Sequence, residues 1–185
     1  MNKSKNSPLV CIVNGPPGSG KTSIASHYQK NSPDKVKVIS VDKIRLTFSG
    51  SYNLDTLEGR EVLKSSTINA ARKAIKHLSS NKECEIIFID DCIVEKRRMK
   101  LYYDYLKSHR IITVLLWPSS KVQKHRDATR HFKKRLGQHA IGLRRKMLRS
   151  KASNWHDIVM VNDKHSIAET ARILRNRIKR FPGSI

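Results

Sequence analysis

Gly15-Pro16-Pro17-Gly18-Ser19-Gly20-Lys21-Thr22 decides the fold. These eight residues fit the pattern GxxxxGK[ST] in full. An apolar run, Leu9 to Val13, stands directly before them, and a helix-period segment, Ser23 to Lys30, directly after. Strand, glycine-rich turn and helix in that order is the context in which this pattern cradles phosphate. The glycines let backbone amides turn inward around the anion, and the helix N-terminus adds positive potential. Lys21 is expected to carry a point charge to the β- and γ-phosphates of ATP, and the Thr22 hydroxyl to ligate Mg²⁺. All eight positions, from Gly15 and Pro16 to Lys21 and Thr22, are therefore candidate nucleotide-binding residues.

Outward from this motif, short apolar runs alternate with helix-period segments, the signature of a parallel sheet covered by helices. Val36 to Val41, Glu85 to Ile89, Ile111 to Trp117 and Ile158 to Val161 are the further strand candidates. Helices are predicted over 60–79, where Leu63, Thr67, Ala70, Ala74 and Leu78 recur at helical spacing, and from about Val94 to Lys107. A last helix opens with the capping box Ser166-Ile-Ala-Glu169 and presents Ile167, Ala171, Leu174 and Ile178 on one face. The expectation is a doubly wound α/β fold of the P-loop kinase type, with about five parallel strands. At 185 residues, positions 1–185 read as one domain.

The chain holds 38 Lys plus Arg against 15 Asp plus Glu, a net charge of +23. Such self-repulsion does nothing for a fold and points to a polyanionic partner. The excess is concentrated. Residues 119–151 contain twelve Lys or Arg and one acid, Asp127, a net of +11, between the last two strands, where small P-loop kinases carry a lid over ATP. Cys11, Cys84 and Cys92 form no CxxC pair, and Cys11 and Cys84 lie in or beside strand-like runs. Reduced cysteines in a cytoplasmic protein, or in the host cytoplasm if the chain is viral, are the expectation. Met1 to Pro8 has no apolar signal-like region and no apolar stretch approaches eighteen residues, so no membrane partner is expected.

Aspartates at the ends of two strands carry the chemistry beyond the phosphate motif. Asp90 and Asp91 close the third strand, and one of them is expected to serve the Mg²⁺ shell, directly or through water; a helix cap is the plainer reading. No glutamate follows them to activate water, which favours transfer to a hydroxyl over hydrolysis. Asp42, just past the second strand, stands at the carboxyl edge of the sheet, where such folds bind ligands. It can accept a hydroxyl proton, and Arg45 can hold a substrate phosphate; the plainer reading is an N-cap aspartate with a solvated arginine. His125, His131 and His139 read as surface or phosphate-contact residues and not as a metal site. Tyr102, Tyr103 and Tyr105 read as packing residues, and Trp155 as core or as a cover for adenine.

GPPGSGKT, then VDKIR after the second strand, IIFIDD after the third and a basic lid together resemble the 5′-kinase domain of phage polynucleotide kinases, loosely over residues 9–151. The phage kinases that phosphorylate 5-hydroxymethyluracil within DNA are similar as well. The resemblance implies that Asp42 is the general base and Arg45 a contact to substrate phosphate. It implies that Arg126 and Arg130, four apart after Pro118, are lid arginines, with Arg126 on the nucleotide. Residues 131–139 look inserted relative to that pattern, so Arg135 competes for the lid role. The implied reaction moves the γ-phosphate of ATP to a nucleic-acid hydroxyl, DNA ahead of RNA, either a base hydroxymethyl or a 5′ end. The alternative is a small-molecule kinase of the antibiotic- or nucleoside-phosphorylating sort, and after it a nucleic-acid-binding ATPase.

Overall fold

The computed structural model describes residues 8–47, 56–79, 84–130 and 136–181. Five strands, β1 (Leu9–Asn14), β2 (Val36–Ser40), β3 (Ile86–Asp90), β4 (Arg110–Leu116) and β5 (Ile158–Met160), form one sheet in the order β2-β3-β1-β4-β5. Every pairing is parallel. The helices are α1 (Lys21–Asn31), α2 (Val41–Leu46), α3 (Leu57–Ser79), α4 (Lys96–Tyr105), α5 (Ser120–Ala128), α6 (Gln138–Arg149) and α7 (Ile167–Arg180), with a 3₁₀ turn at Ala152–Trp155 before β5. This is the five-stranded parallel α/β P-loop kinase fold that the sequence predicts.

Alternation along β1 divides the core. All six of its residues are buried, as in a strand covered on both faces. Leu9, Cys11 and Val13 pack with Ile24, Ala25 and Tyr28 of α1 and with Ala171, Leu174 and Ile178 of α7. Val10 and Ile12 point the other way, against Ala70, Ala74 and Leu78 of α3 and Met99 and Tyr102 of α4. A Leu side chain moved from water into either layer contributes on the order of 1.5–3 kcal/mol. The Tyr28 and Phe88 rings meet edge-on at 4.9 Å and tie α1 to β3.

Several element boundaries, and one apolar face, differ from the sequence reading. β3 runs one residue further, because Asp90 stays in register with Val13 and Ser40. β2 ends at Ser40 and not at Val41, and Asp42 sits in the first turn of α2, which begins at Val41, with Ser40 and not Asp42 at the cap. The helix expected from Val94 begins at Lys96, after Glu95 in an extended conformation. Ile167 is 49% exposed and leaves the apolar stripe of α7 to Ala171, Leu174 and Ile178. The capping box of that helix is present, with Ser166 Oγ accepting from Glu169 N and Glu169 accepting from Ser166 N. Among the described residues, no helix is long and apolar enough to cross a membrane.

Candidate active site

The site lies at the carboxyl ends of β1, β3 and β4, where ligands gather in open α/β sheets. The phosphate loop leaves β1 at Gly15, whose φ of 152° sets its back against the end of β4. A Cβ there would meet Leu116 O at 2.5 Å and Ser19 Oγ at 2.6 Å, so no larger residue fits without moving the loop. Gly18 has φ of 83° and lies against Gln123 of α5; a Cβ on Gly18 would stand 3.0 Å from Gln123 O. That contact seats α5 on the loop. Lys21, 8% exposed, opens α1 and folds its ammonium onto the loop, donating to Gly15 O at 2.8 Å and Pro16 O at 3.3 Å.

Thr22 Oγ1 donates to Asp90 Oδ2 at 2.5 Å. Burial holds the Asp90 carboxyl above the usual carboxylate range; the Lys21 ammonium and the Thr22 hydroxyl pull it down, while Asp42 and Asp91 push it up. Asp91 faces a different task. Its Oδ1 and Oδ2 both accept from Arg98 Nη2 at 2.7 Å, Oδ2 from Tyr102 at 2.9 Å, and Oδ1 from Cys92 N at 2.7 Å. Burial first, and then the Asp91 charge, raises the Tyr102 hydroxyl well above its usual range, so it remains a donor. Burial likewise pushes the Cys92 thiol up to about 11. Of the two aspartates, Asp90 is therefore the one set beside Thr22, and Asp91 anchors α4. Tyr102 is fully buried in this network, whereas Tyr103 and Tyr105 are 40% and 53% exposed.

Asp42 pairs with Arg45 one turn on, at 3.2 Å, and its side chain remains 59% exposed. The Asp42 charge reaches Asp90, Cys92 and Arg98, so the carboxylate faces the same edge of the sheet as the phosphate loop. His139 on α6 lies in the fields of Lys146 and Arg45; burial, and then those two cations, lower it from its usual range.

The two arginines expected in a lid part company. Arg126 donates to Asn162 O at 2.9 Å and brings Nη1 to within 3.9 Å of where a Cβ on Gly20 would lie, so it covers the turn into α1. Arg130 pairs with Asp127 at 3.6 Å. Arg135, with Lys133, Lys134 and His131, lies outside the described residues.

Four residues important to this arrangement escaped the sequence reading. Asn162, just past β5, donates from Nδ2 to Ser19 O at 2.9 Å and clamps the loop from the other side. Gln123 is buried and donates to Ala140 O at 3.3 Å, joining α5 to α6. Arg144, which the sequence shows only as charge, donates to Pro118 O at 2.7 Å and stacks over the Trp117 ring at 4.2 Å. Asn14 closes β1 beneath the loop. For Asn14 and Asn162 a polar residue at or just past a strand end was the available signal, since a buried amide needs partners. Trp155 is half-buried and donates to Ser150 O at 3.0 Å, a packing role.

The hard oxygens of Thr22 and Asp90, side by side, suit Mg²⁺, which is usually held by one or two protein oxygens and the substrate phosphates. Among the described residues no group of three His, Cys, Asp or Glu is placed to hold a metal.

A family model described as AAA domain matches residues 10–151. No curated protein sequence matches the chain significantly. Among solved structures, the fold is similar to shikimate kinase from Acinetobacter baumannii in complex with shikimate, at TM-score 0.65 and 16% identity, covering 96% of this chain and 97% of that one. Shikimate kinase from Aquifex aeolicus is similar at TM-score 0.64 and 14% identity, covering 94% and 99%. The Deinococcus radiodurans tunicamycin resistance protein is similar at TM-score 0.62 and 12% identity, covering 93% and 95%. At these identities the likeness concerns the fold. The motif resemblance to phage polynucleotide kinases gains nothing from these matches.

Proposed function

The chain belongs to the AAA domain family, and from that premise we propose that it is an ATP-dependent phosphotransferase acting on an alcohol. One observation carries the reading: Lys21, Thr22 beside Asp90, and the exposed carboxylate of Asp42 converge on one edge of the sheet. Lys21 and Arg126 neutralise the transferring phosphoryl, and Asp42 accepts the proton of the attacking hydroxyl. The acceptor oxygen–phosphorus bond forms as the bond from the γ-phosphorus to the β–γ bridging oxygen breaks, leaving ADP. Mg²⁺, held by Thr22 and Asp90, would supply charge neutralisation on the β- and γ-phosphates. Asp91 stands where a hydrolase would activate water, but its carboxylate is committed to Arg98, Tyr102 and Cys92 N, which supports transfer over hydrolysis.

For the acceptor we rank a small anionic alcohol first. The fold likeness to shikimate kinase and to the tunicamycin resistance protein extends over nearly the whole chain and supports this. Arg45, with Lys146 near enough for both cations to act on His139, supports a negative charge on the acceptor. A second reading, a nucleic-acid hydroxyl on DNA or RNA, is favoured by the charge of +23 and by the exposed Arg145, Lys146 and Arg149 of α6. γ-labelled ATP incubated separately with phosphorylated and carboxylated small alcohols, with DNA bearing 5-hydroxymethyluracil, and with 5′-OH oligonucleotides separates the two. Label on a small compound supports the first reading, label on the polymer the second, and label released only as phosphate rejects both.

A further inference from the structure

Asn14 is fully buried at the end of β1 and uses both ends of its amide. Its Oδ1 accepts from Gly15 N at 2.7 Å and from Ile93 N at 2.8 Å. Its Nδ2 donates to Ile93 O at 3.0 Å and stands 3.1 Å from His156 Nε2. Two backbone N–H groups on the oxygen fix which way the amide faces, since a flipped amide would set donors against donors. His156 Nε2 must then accept. The other ring nitrogen, Nδ1, is 2.6 Å from Ala152 O, which only accepts, so the proton of the neutral ring is on Nδ1. The partners therefore assign every polar atom of the pair.

We infer that Asn14 and His156 are positioning residues for phosphoryl transfer: neutral His156 locks the Asn14 amide, which ties the first residue of the phosphate loop to the segment after β3, and protonation of the ring releases that lock. A second proton on His156 would sit on Nε2 and face the Asn14 N–H, leaving two donors and no acceptor between them. The amide cannot turn to relieve this without losing Gly15 N and Ile93 N. What loosens is the floor of the site, because Gly15 O receives Lys21 and Ile93 follows Asp90 and Asp91.

The surroundings let the ring titrate. It is half-buried, and the groups that face it from β1 and the 3₁₀ turn, Asn14, Ala152 and the stacked Trp155, are neutral. Asp157 is the charged neighbour and favours the protonated ring, but its carboxylate is occupied by Thr113 N at 2.8 Å and Thr113 Oγ1 at 2.7 Å. Burial outweighs it and holds His156 below the usual imidazole range.

Nucleotide binding follows from the phosphotransferase reading, whereas the protonation state of the ring does not depend on it. ADP affinity is measured from pH 5 to 8 for wild type, His156→Gln and His156→Leu. The Gln oxygen can stand in for Nε2 and does not titrate, so His156→Gln should keep wild-type affinity near pH 8 and lack one acid transition. Wild type should lose about tenfold more affinity on acidification than that variant, the scale of one buried donor left unsatisfied. His156→Leu should be about tenfold weaker at high pH, for the same reason. Comparing variants removes the titration of ADP itself. ¹⁵N NMR of the His156 ring in the nucleotide-free protein supplies a readout independent of binding. A neutral ring protonated on Nδ1 supports the lock, and one protonated on Nε2 overturns it. Identical pH profiles for wild type and His156→Gln would overturn it too. No ADP binding at any pH would reject the phosphotransferase reading instead, and the NMR result would then decide the lock alone.

Discussion

Thr22 Oγ1 and Asp90 Oδ2 are in hydrogen-bond contact across the floor of the site, joining the last residue of the phosphate loop to the last residue of β3. The contact comes from register: Asp90 pairs with Val13, so the end of β3 reaches the level at which β1 turns into the loop. Two hard oxygens are thereby brought together 68 positions apart in the chain.

Asp90→Asn should weaken Mg²⁺–ATP binding by about 10–100-fold, the usual cost of a disturbed metal partner, with little effect on ATP in EDTA. Calorimetric titration with and without Mg²⁺ checks it. Equal losses in both conditions would make Asp90 a structural residue.

The same change should raise the thermal midpoint of the nucleotide-free protein at neutral pH. The Asp90 carboxyl is held above its unfolded value, chiefly by burial, so its contribution to stability is full below the unfolded pKa and is lost as pH rises through the folded one. At neutral pH the wild type carries that cost and the Asn variant does not. A lower midpoint for Asp90→Asn would show that the hydrogen bond from Thr22 outweighs burial.

Asp42→Asn should leave ATP affinity near wild type and lower turnover by about 10²–10⁴, the share of a positioned general base. Its side chain is exposed, so the substitution should leave the fold intact, which circular dichroism checks. Unchanged turnover would assign Asp42 to pairing with Arg45 alone.

Acid should destabilise the fold through histidines whose rings lose hydration on folding. His109, His139 and His156 are all lowered, with burial the largest cause. For a depressed histidine the unfolded chain takes up the proton first. Stability is therefore full above about pH 6.5 and falls as pH drops from there toward the folded values. Denaturant midpoints measured from pH 8 to 5 should decline over that window, and the decline should be shallower in His156→Gln.

If the acceptor is a polymer, replacing Arg145, Lys146 and Arg149 together by Gln should flatten the log–log salt dependence of DNA binding. Up to about three units of slope would be lost on duplex, at about 0.9 per phosphate contact. ATP affinity should not move. A wild type with no salt-dependent DNA affinity would leave the small anionic alcohol as the acceptor class.

Much of the fold was legible in the sequence because its signals are local. A buried parallel strand reads as an unbroken apolar run, as in Leu9–Val13, and a complete phosphate motif implies the strand before it and the helix after it. The capping box at Ser166 and Glu169 is equally local. The contacts within residues 119–151 and the supports of the loop were not legible. Arg144 looks like one more cation until Trp117 lies beneath it. Asp90 and Asp91 are neighbours of one residue type, and only the alternation of the strand end sends one to Thr22 and the other to Arg98 and Tyr102. Asn14 and His156 are 142 positions apart, and no periodicity connects them.

The most direct test of phosphoryl transfer at this site is label passed from γ-labelled ATP to an alcohol, measured for wild type and Lys21→Ala with the accepted substrate. Lys21 is the ammonium folded onto the phosphate loop, and its removal takes the point charge from the β- and γ-phosphates. Label is expected on the acceptor hydroxyl with wild type, and transfer abolished in Lys21→Ala, with the variant still folded by circular dichroism. Substantial transfer by Lys21→Ala, or wild-type label appearing only as inorganic phosphate, would contradict the assignment.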